Sequence, residues 1–332
     1  MVDLSIVIVN FNTTNLLLNC LQSVYFFENL NFSFEVIVVD NNSIDAVEEK
    51  LIERFPSVKF IQMGYNAGFA RANNQGIKIA KAECILLLNS DTIVLDNAIF
   101  KTWKEFKNSD FSAAGIQLLN DDYSPQISGN FAMKGGLNYL LPLPYLGKLF
   151  RAIAFVFKVK KPSILSVSGI KIVDWINGAF LMVKKDVVVK AGLLDEDFFL
   201  YAEEAEWCSR LKKIAPLCIY GDYHVLHLQG ESSNKAFNST GKGYFNIFDK
   251  KGFQIIISNF LRIRKQFGLF WFLFIYSVYL IEIPIFIFGF LITFYLKLYS
   301  FDDLKGYIKN MYKSIYFLPK IISNTPYFYK VL

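Results

Sequence analysis

Residues 4–12 read LSIVIVNFN, a near-continuous apolar run rich in Val and Ile that stops at a polar cluster of Asn10, Phe11 and Asn12. Such a run fits a parallel strand buried on both faces. The pattern recurs. Residues 34–39 form a second run, ending in Asp40, Asn41, Asn42 and Ser43. Residues 58–63 form a third, and residues 84–88 a fourth that ends in Asn89, Ser90 and Asp91. Between them the apolar spacing turns helical, with Leu16, Leu17, Cys20, Leu21 and Val24 inside residues 13–27. Further helices are expected over 44–54, stopped near Pro56, and over 68–81. Strand–helix alternation of this kind predicts a parallel α/β sheet. Ligands in such sheets bind beyond the carboxyl ends of the strands. The clusters at 10–12, 40–43, 66–68 and 89–91 would gather there.

The composition sets the outer limits. The chain has 332 residues, 53% of them hydrophobic and 19% charged, which excludes disorder as its main state. Length suggests about two domains. The 34 Phe and 18 Tyr, with a mean hydropathy of +0.32, exceed the needs of one soluble core, so apolar surface is expected to face lipid or a partner. The formal net charge is +6, and no nucleic-acid partner is expected. Four cysteines (Cys20, Cys84, Cys208, Cys218) form no C-x-x-C pair and read as buried apolar side chains in a reducing compartment. Two histidines cannot build a multi-histidine metal cage. The start MVDLSIVIVNFN carries Asp3 and lacks a basic leader region, so it reads as mature cytosolic structure.

Two segments have a different character. Residues 137–161 mix large apolar side chains with Lys148, Arg151, Lys158, Lys160 and Lys161, interrupted early by Pro142 and Pro144. That pattern fits attachment to an anionic membrane surface. It equally fits a core-packing helix with a solvated basic face. Residues 269–296 contain no Lys or Arg and a single acid, Glu282, over 28 residues, more than the ~20 a spanning helix needs. Basic residues flank it on both sides, at Lys250, Lys251, Arg262, Arg264 and Lys265, and again at Lys297, Lys305, Lys309, Lys313, Lys320 and Lys330 against Asp302 and Asp303. Positive charge favours the cytoplasmic face. With Pro284 at the midpoint, a re-entrant hairpin of two half-helices is preferred over a kinked single span.

Seven stretches in order resemble glycosyltransferase family 2, over roughly residues 4–245. They are SIVIVNFN, VIVVDNNS, NAGFARANNQGI, ILLLNSDT, WINGAF, FLYAEEAEW and HLQGESS. The resemblance is nearest to the bacterial rhamnosyltransferase-like branch. It implies a GT-A type nucleotide-binding mixed sheet flanked by helices, to which the chain adds an apolar helical C-terminal membrane segment. The implied organisation is a catalytic domain over 1–245, with a nucleotide-sugar half at 1–110 and an acceptor half at 111–245, and a membrane-associating extension over 246–332.

The resemblance also implies site residues. Val9, Asn10, Phe11, Asp40, Asn66, Gly68, Arg71 and Asn89 fall where the family contacts its nucleotide sugar. A carboxylate at a buried strand end can accept from ribose or base, Gly68 allows close backbone approach, and Arg71 adds positive charge near phosphate. The family's Asp-x-Asp metal site is reduced here to Asn89-Ser90-Asp91. Asp91, with His227 as second ligand, would hold Mg²⁺ or Mn²⁺ against the diphosphate leaving group. Direct displacement needs a base for the acceptor hydroxyl. Glu204 matches that position, with Glu203 second, where the family usually has Asp. Glu206, Trp175 and Gly178 match the acceptor side. His224 matches no role.

The expected partners are therefore a dTDP- or UDP-sugar, a lipid-linked glycan and a membrane surface, at the cytoplasmic face of a bacterial inner membrane. The expected product is an inverted glycosidic bond, with rhamnose as the candidate sugar. A processive polysaccharide synthase and a degenerate, non-catalytic scaffold stand as alternatives. Against the synthase, no Arg-Trp dipeptide occurs in the chain.

Overall fold

The computed structural model describes residues 2–27, 32–159, 162–228, 234, 237–239 and 245–331. The chain divides into two compact units. The first comprises residues 1–131, 163–196 and 203–232, and the second residues 132–162, 197–202 and 233–332. Segments 132–162 and 197–202, grouped by sequence with residues 1–245, thus belong to the second unit.

The first unit is built on a mixed sheet. Strands β1 (Leu4–Asn10), β2 (Phe34–Asp40), β3 (Lys59–Gln62) and β4 (Cys84–Asn89) run parallel in the order β3-β2-β1-β4. Beyond β4 come β11 (Phe180–Lys184), antiparallel, then β6 (Ala113–Leu119), β12 (Leu217–His227) and β5 (Thr92–Val94). β9 (Ile170–Val173) pairs with β12. Strands β7 (Gly129–Asn130), β8 (Ser163–Ile164) and β10 (Trp175–Ile176) make a small antiparallel sheet.

Both faces of the main sheet are buried, which is why its strands read as continuous apolar runs. Leu4, Ile6, Ile8, Val36, Val38, Leu86 and Leu88 pack on one face with Leu17, Leu21 and Val24 of α1 (Thr14–Phe27). Val7, Ile37, Val39, Ile85 and Leu87 pack on the other with Ala70 and Ile77 of α3 (Gly68–Ile79) and Trp207 of α7 (Glu203–Leu211). The chain moves outward from β1 to β3, then returns to place β4 on the opposite side of β1. That reversal makes a topological switch point at the ends of β1 and β4, where Val9 pairs with Asn89, the place at which open α/β sheets bind ligands. All four cysteines are buried thiols. Burial pushes Cys20 and Cys218 up to about 12 and Cys84 to about 11.

The second unit is helical, and four helices follow the sheet in sequence: α8 (Lys250–Phe267), α9 (Leu269–Thr293), α10 (Phe301–Ser314) and α11 (Leu318–Ser323). The expected hairpin at Pro284 does not form; one helix runs through it. A proline inside a helix costs about 3 kcal/mol. Phe272, Ile275, Tyr276, Tyr279, Phe286 and Phe290, on both sides of Pro284, lie in one apolar cluster with Phe260, Tyr307 and Tyr139, and that shared packing outweighs the local cost. The opposite side of α9, including Phe270, Ile281, Phe288, Leu291 and Ile292, is exposed. Among the described residues α9 is the one helix long and apolar enough to cross a membrane, by length and composition.

The 137–161 segment is a short 3₁₀ stretch, Lys134–Leu140, followed by α5 (Leu146–Val156). Lys160 and Lys161 lie outside the described residues. Only Gly147 of α5 is buried. Its N-terminus is capped from within the unit. The Glu282 carboxylate, fully buried, accepts the backbone N–H groups of Tyr145 at 2.6 Å and Leu146 at 3.0 Å.

Candidate active site

The ends of β1 and β2 are joined by side chains. Asp40 is fully buried and accepts four hydrogen bonds: Asn10 Nδ2 at 2.9 Å and Ser43 Oγ at 2.6 Å on Oδ1, Ser43 N–H at 2.7 Å and Gln62 Nε2 at 3.1 Å on Oδ2. These occupy the lone-pair capacity of a carboxylate. A ligand hydroxyl reaching Asp40 would therefore exchange with Ser43 or Gln62. Ser43 also accepts the Asn12 N–H at 2.8 Å. Asn12 and Asn42 take positive φ values of 54° and 66°, which asparagine tolerates better than most residues.

A chain of polar contacts continues from Asn10 to the end of β4. Thr13 Oγ1 donates to Asn10 Oδ1 at 3.0 Å and meets Ser90 Oγ at 3.3 Å. The turn after β4 carries Ser90 and Asp91, both 6% exposed. The β5–β12 ladder pairs Thr92 with His227, so a residue remote in sequence lands beside Asp91. His227 Nε2 stands 3.5 Å from Asp91 Oδ1 and 3.4 Å from Asn89 Nδ2. The Leu228 N–H donates to the Asp91 carbonyl at 2.9 Å. Residues 229–233 of the HLQGESS stretch lie outside the described residues.

Asn41 positions the loop into α3. Its Nδ2 donates to the Gly68 carbonyl at 3.0 Å and its Oδ1 accepts the Ala67 N–H at 3.2 Å. Asn66 Oδ1 accepts the Gly68 N–H at 3.1 Å. Gly68 has φ of 77°, the left-handed region where a side chain is strained. Arg71 is committed locally, its Nε donating to the Glu196 carbonyl at 3.0 Å. Val9 and Phe11 are half-buried beside Asn10.

Around the start of α7 the acids separate by environment. Glu206 is bound by Arg210 through Nε at 2.9 and 3.1 Å and Nη2 at 2.8 Å, while Arg210 also donates to the Ala191 and Leu193 carbonyls. Glu203 is 3% exposed and Glu204 half-buried. Three acids in the first turn of α7 suit the positive end of its dipole. Tyr201 and Ala202, just before it, both have positive φ, at 73° and 68°. A Cβ at Gly178 would lie 3.5 Å from Glu204 Cγ and from Phe69 Cζ, so the WINGA turn runs against the Glu204 stem. Trp175 is Cα-paired with Asn130, and Trp175 Nε1 and Asn130 Oδ1 are buried without hydrogen-bond partners among the described residues.

The structure thus groups Asn10 with Asp40, Asn89 with Asp91 and His227, and Gly178 with Glu204. It turns Arg71 and Glu206 to protein partners. Sequence reasoning missed Ser43, Gln62, Thr13 and Ser90. The first and last of these stood in the polar clusters at strand ends, the one signal that could have found them.

Residues 5–131 match the model of glycosyl transferase family 2. Over that stretch the chain is similar to glycosyl transferase family 2. The GT-A fold this family implies agrees with the mixed sheet and its switch point between β1 and β4. A low-salt glycan biosynthesis hexosyltransferase, Agl10, of Haloferax volcanii is 26% identical over 216 residues, 64% of this chain and 62% of that protein. A dTDP-rhamnosyl transferase, RfbF, of Shigella flexneri is 27% identical over 204 residues, 60% of this chain and 62% of that one. The rhamnosyltransferase WbbL of Escherichia coli is 23% identical over 258 residues, 72% of this chain and 92% of that protein. The match thus spans under two thirds of the length of the Haloferax and Shigella relatives.

Asp91, inside the matched stretch, and His227, beyond it on β12, are the residues that could hold a divalent cation. Among the described residues no group of three or more His, Cys, Asp or Glu converges on one point. A carboxylate and an imidazole at 3.5 Å still fit a cation whose remaining ligands are water and substrate phosphate oxygens.

Proposed function

We propose that this chain transfers a sugar, with inversion, from a nucleoside-diphosphate donor to a lipid-linked glycan acceptor at the cytoplasmic face of a membrane. The observation that carries this reading is the polar chain Asp40–Asn10–Thr13–Ser90 leading into Asp91 and His227 at the strand ends of the β1/β4 switch point. In this reading the nucleoside lies over Val9, Asn10, Phe11 and Asp40, with Asn66, Gly68, Arg71 and Asn89 bordering the donor. Asp91 and His227 would hold Mg²⁺ or Mn²⁺. The cation, when bound, neutralises charge developing on the diphosphate. Glu204 takes the proton from the acceptor hydroxyl, with Glu203 beside it in sequence. Trp175 and Gly178 shape the acceptor side. Glu206 orders α7 through Arg210.

The names of the relatives favour a dTDP-hexose, rhamnose first, with UDP-sugars as the other class. The outward apolar side of α9 and the basic residues Lys148, Arg151, Lys297 and Lys305 support a membrane surface as the place of work.

The test is a panel of dTDP- and UDP-sugars offered to the full chain with Mn²⁺ or Mg²⁺ and a bacterial lipid extract, with products read by mass spectrometry. One donor should yield a glycosylated lipid, and chelation should abolish it. If no donor is consumed with metal and lipid present, the reading is wrong.

A further inference from the structure

We propose that Gln126 is a positioning residue that fixes the tautomer of His227 and so aims its Nε2 lone pair at the cation position. The inference rests on the metal-assisted transfer proposed above. Gln126 is 6% exposed, in the loop after β6. Its Nε2 donates to the His227 backbone carbonyl at 2.6 Å and to Asn120 Oδ1 at 2.7 Å. Its Oε1 lies 3.0 Å from His227 Nδ1.

The argument turns on what each atom can do. A backbone carbonyl can only accept, so the Gln126 nitrogen must face the His227 carbonyl. That places Oε1, which also only accepts, against Nδ1. Two acceptors cannot share a hydrogen bond, so Nδ1 must carry the proton. The nitrogen that remains is Nε2, which faces Asp91 Oδ1 at 3.5 Å and accepts from Asn89 Nδ2 at 3.4 Å. A neutral imidazole whose far nitrogen is held by a hydrogen bond is the form that ligates metals. The backbone of the same loop is anchored, with Gln126 N–H donating to the Leu118 carbonyl at 2.8 Å. The orientation is therefore set before any cation arrives.

The chain has only two histidines, which makes the tautomer directly readable. The full chain, labelled with ¹⁵N-histidine, would be measured by NMR at alkaline pH without metal, with His224 assigned through His224→Gln. The expected result is His227 protonated at Nδ1 and bare at Nε2. A proton on Nε2 would overturn the inference without any variant. Gln126→Met should remove the Nδ1 preference. It should also weaken Mn²⁺ binding in the presence of UDP, read by EPR, by about 10–100-fold. If Gln126→Met leaves both tautomer and Mn²⁺ affinity unchanged, while Asp91→Ala and His227→Ala weaken binding, the metal reading stands and the role of Gln126 is refuted. If Asp91→Ala and His227→Ala leave Mn²⁺ binding unchanged, the metal reading itself fails, and this inference with it.

Discussion

Glu206 is gripped by Arg210, one turn later on α7, through Nε and Nη2, and Arg210 in turn holds two backbone carbonyls before the helix. This leaves the three acids of α7 with different work. In the proposed reaction Glu204 is the base that acts on the acceptor, so Glu204→Gln is expected to lower turnover by about 10²–10⁴-fold with donor affinity nearly unchanged. Glu206→Gln should instead lower stability by about 2 kcal/mol, the scale of a charge-assisted hydrogen bond, with a small effect on turnover per folded molecule. Steady-state kinetics beside thermal melting separates the two. A turnover loss in Glu203→Gln but not in Glu204→Gln would shift the base by one residue.

Gly76 of α3 lies against β1, and a Cβ there would stand 2.3 Å from Val7 Cγ1. Alanine gains about 1 kcal/mol of helix propensity over glycine. Overpacking a close-packed core costs about 1–3 kcal/mol. Since Val7 is fully buried between sheet and helix, the clash should win, and Gly76→Ala should lower the melting temperature. Adding Val7→Ala should recover part of the loss. A Gly76→Ala chain that melts higher than wild type would contradict the packing described.

Acid should loosen the sheet at Glu35. Burial alone would raise its carboxyl, yet Lys59, the Ser5 hydroxyl and the Lys81 N–H together hold it below its ordinary value of 4.5. A carboxyl depressed in the folded state contributes stability above its unfolded value and loses it as pH falls through the folded one. Glu35→Gln should therefore be less stable than wild type at pH 7, with the gap closing below about pH 4.5. Melting curves from pH 7 to pH 3 test this, and a constant gap would rule it out.

Membrane attachment should depend on the outer side of α9. Phe288 and Ile292 are 66% and 80% exposed. Burying such a side chain in an apolar phase is worth about 1.5–3 kcal/mol. Phe288→Lys with Ile292→Lys should therefore reduce sedimentation with phosphatidylcholine/phosphatidylglycerol vesicles by at least about tenfold. The melting temperature should hold, since neither residue is buried. A full chain that ignores such vesicles would remove the membrane from the proposal.

Legibility in the sequence followed burial. β1, β2 and β4 announced themselves because apolar neighbours cover both faces, and α1 and α3 because their apolar stripes repeat at helical spacing. The helix expected from 44 begins at Val47, since Ala46 takes a left-handed φ of 53° and Asp45 accepts the Thr14 N–H. β5 and β10, of three and two residues, are too short to carry a period. Pro284 misled because a local rule met a packed core. Asp91 stood in a strand-end cluster, but its partnership with His227 entered through family resemblance, as their proximity is created by strand pairing. Gln126 had no pattern to reveal it: an amide in a loop acquires meaning only when a carbonyl and an imidazole are brought to its two ends.

Glu282 is the cap of α5, and its neighbours on α9 line the centre of the helical unit. The greasiest helix is therefore an internal beam as well as an outer skin. Cutting the chain near residue 245 to gain a tractable catalytic fragment would strip Tyr139, Leu140 and Leu143 of their packing partners and leave the start of α5 with bare N–H groups. Such a fragment would trade one sticky surface for another. Polar side chains can be placed at the exposed Phe270, Ile281, Phe288 and Ile292 while the inward seam from Phe272 to Phe290 stays whole.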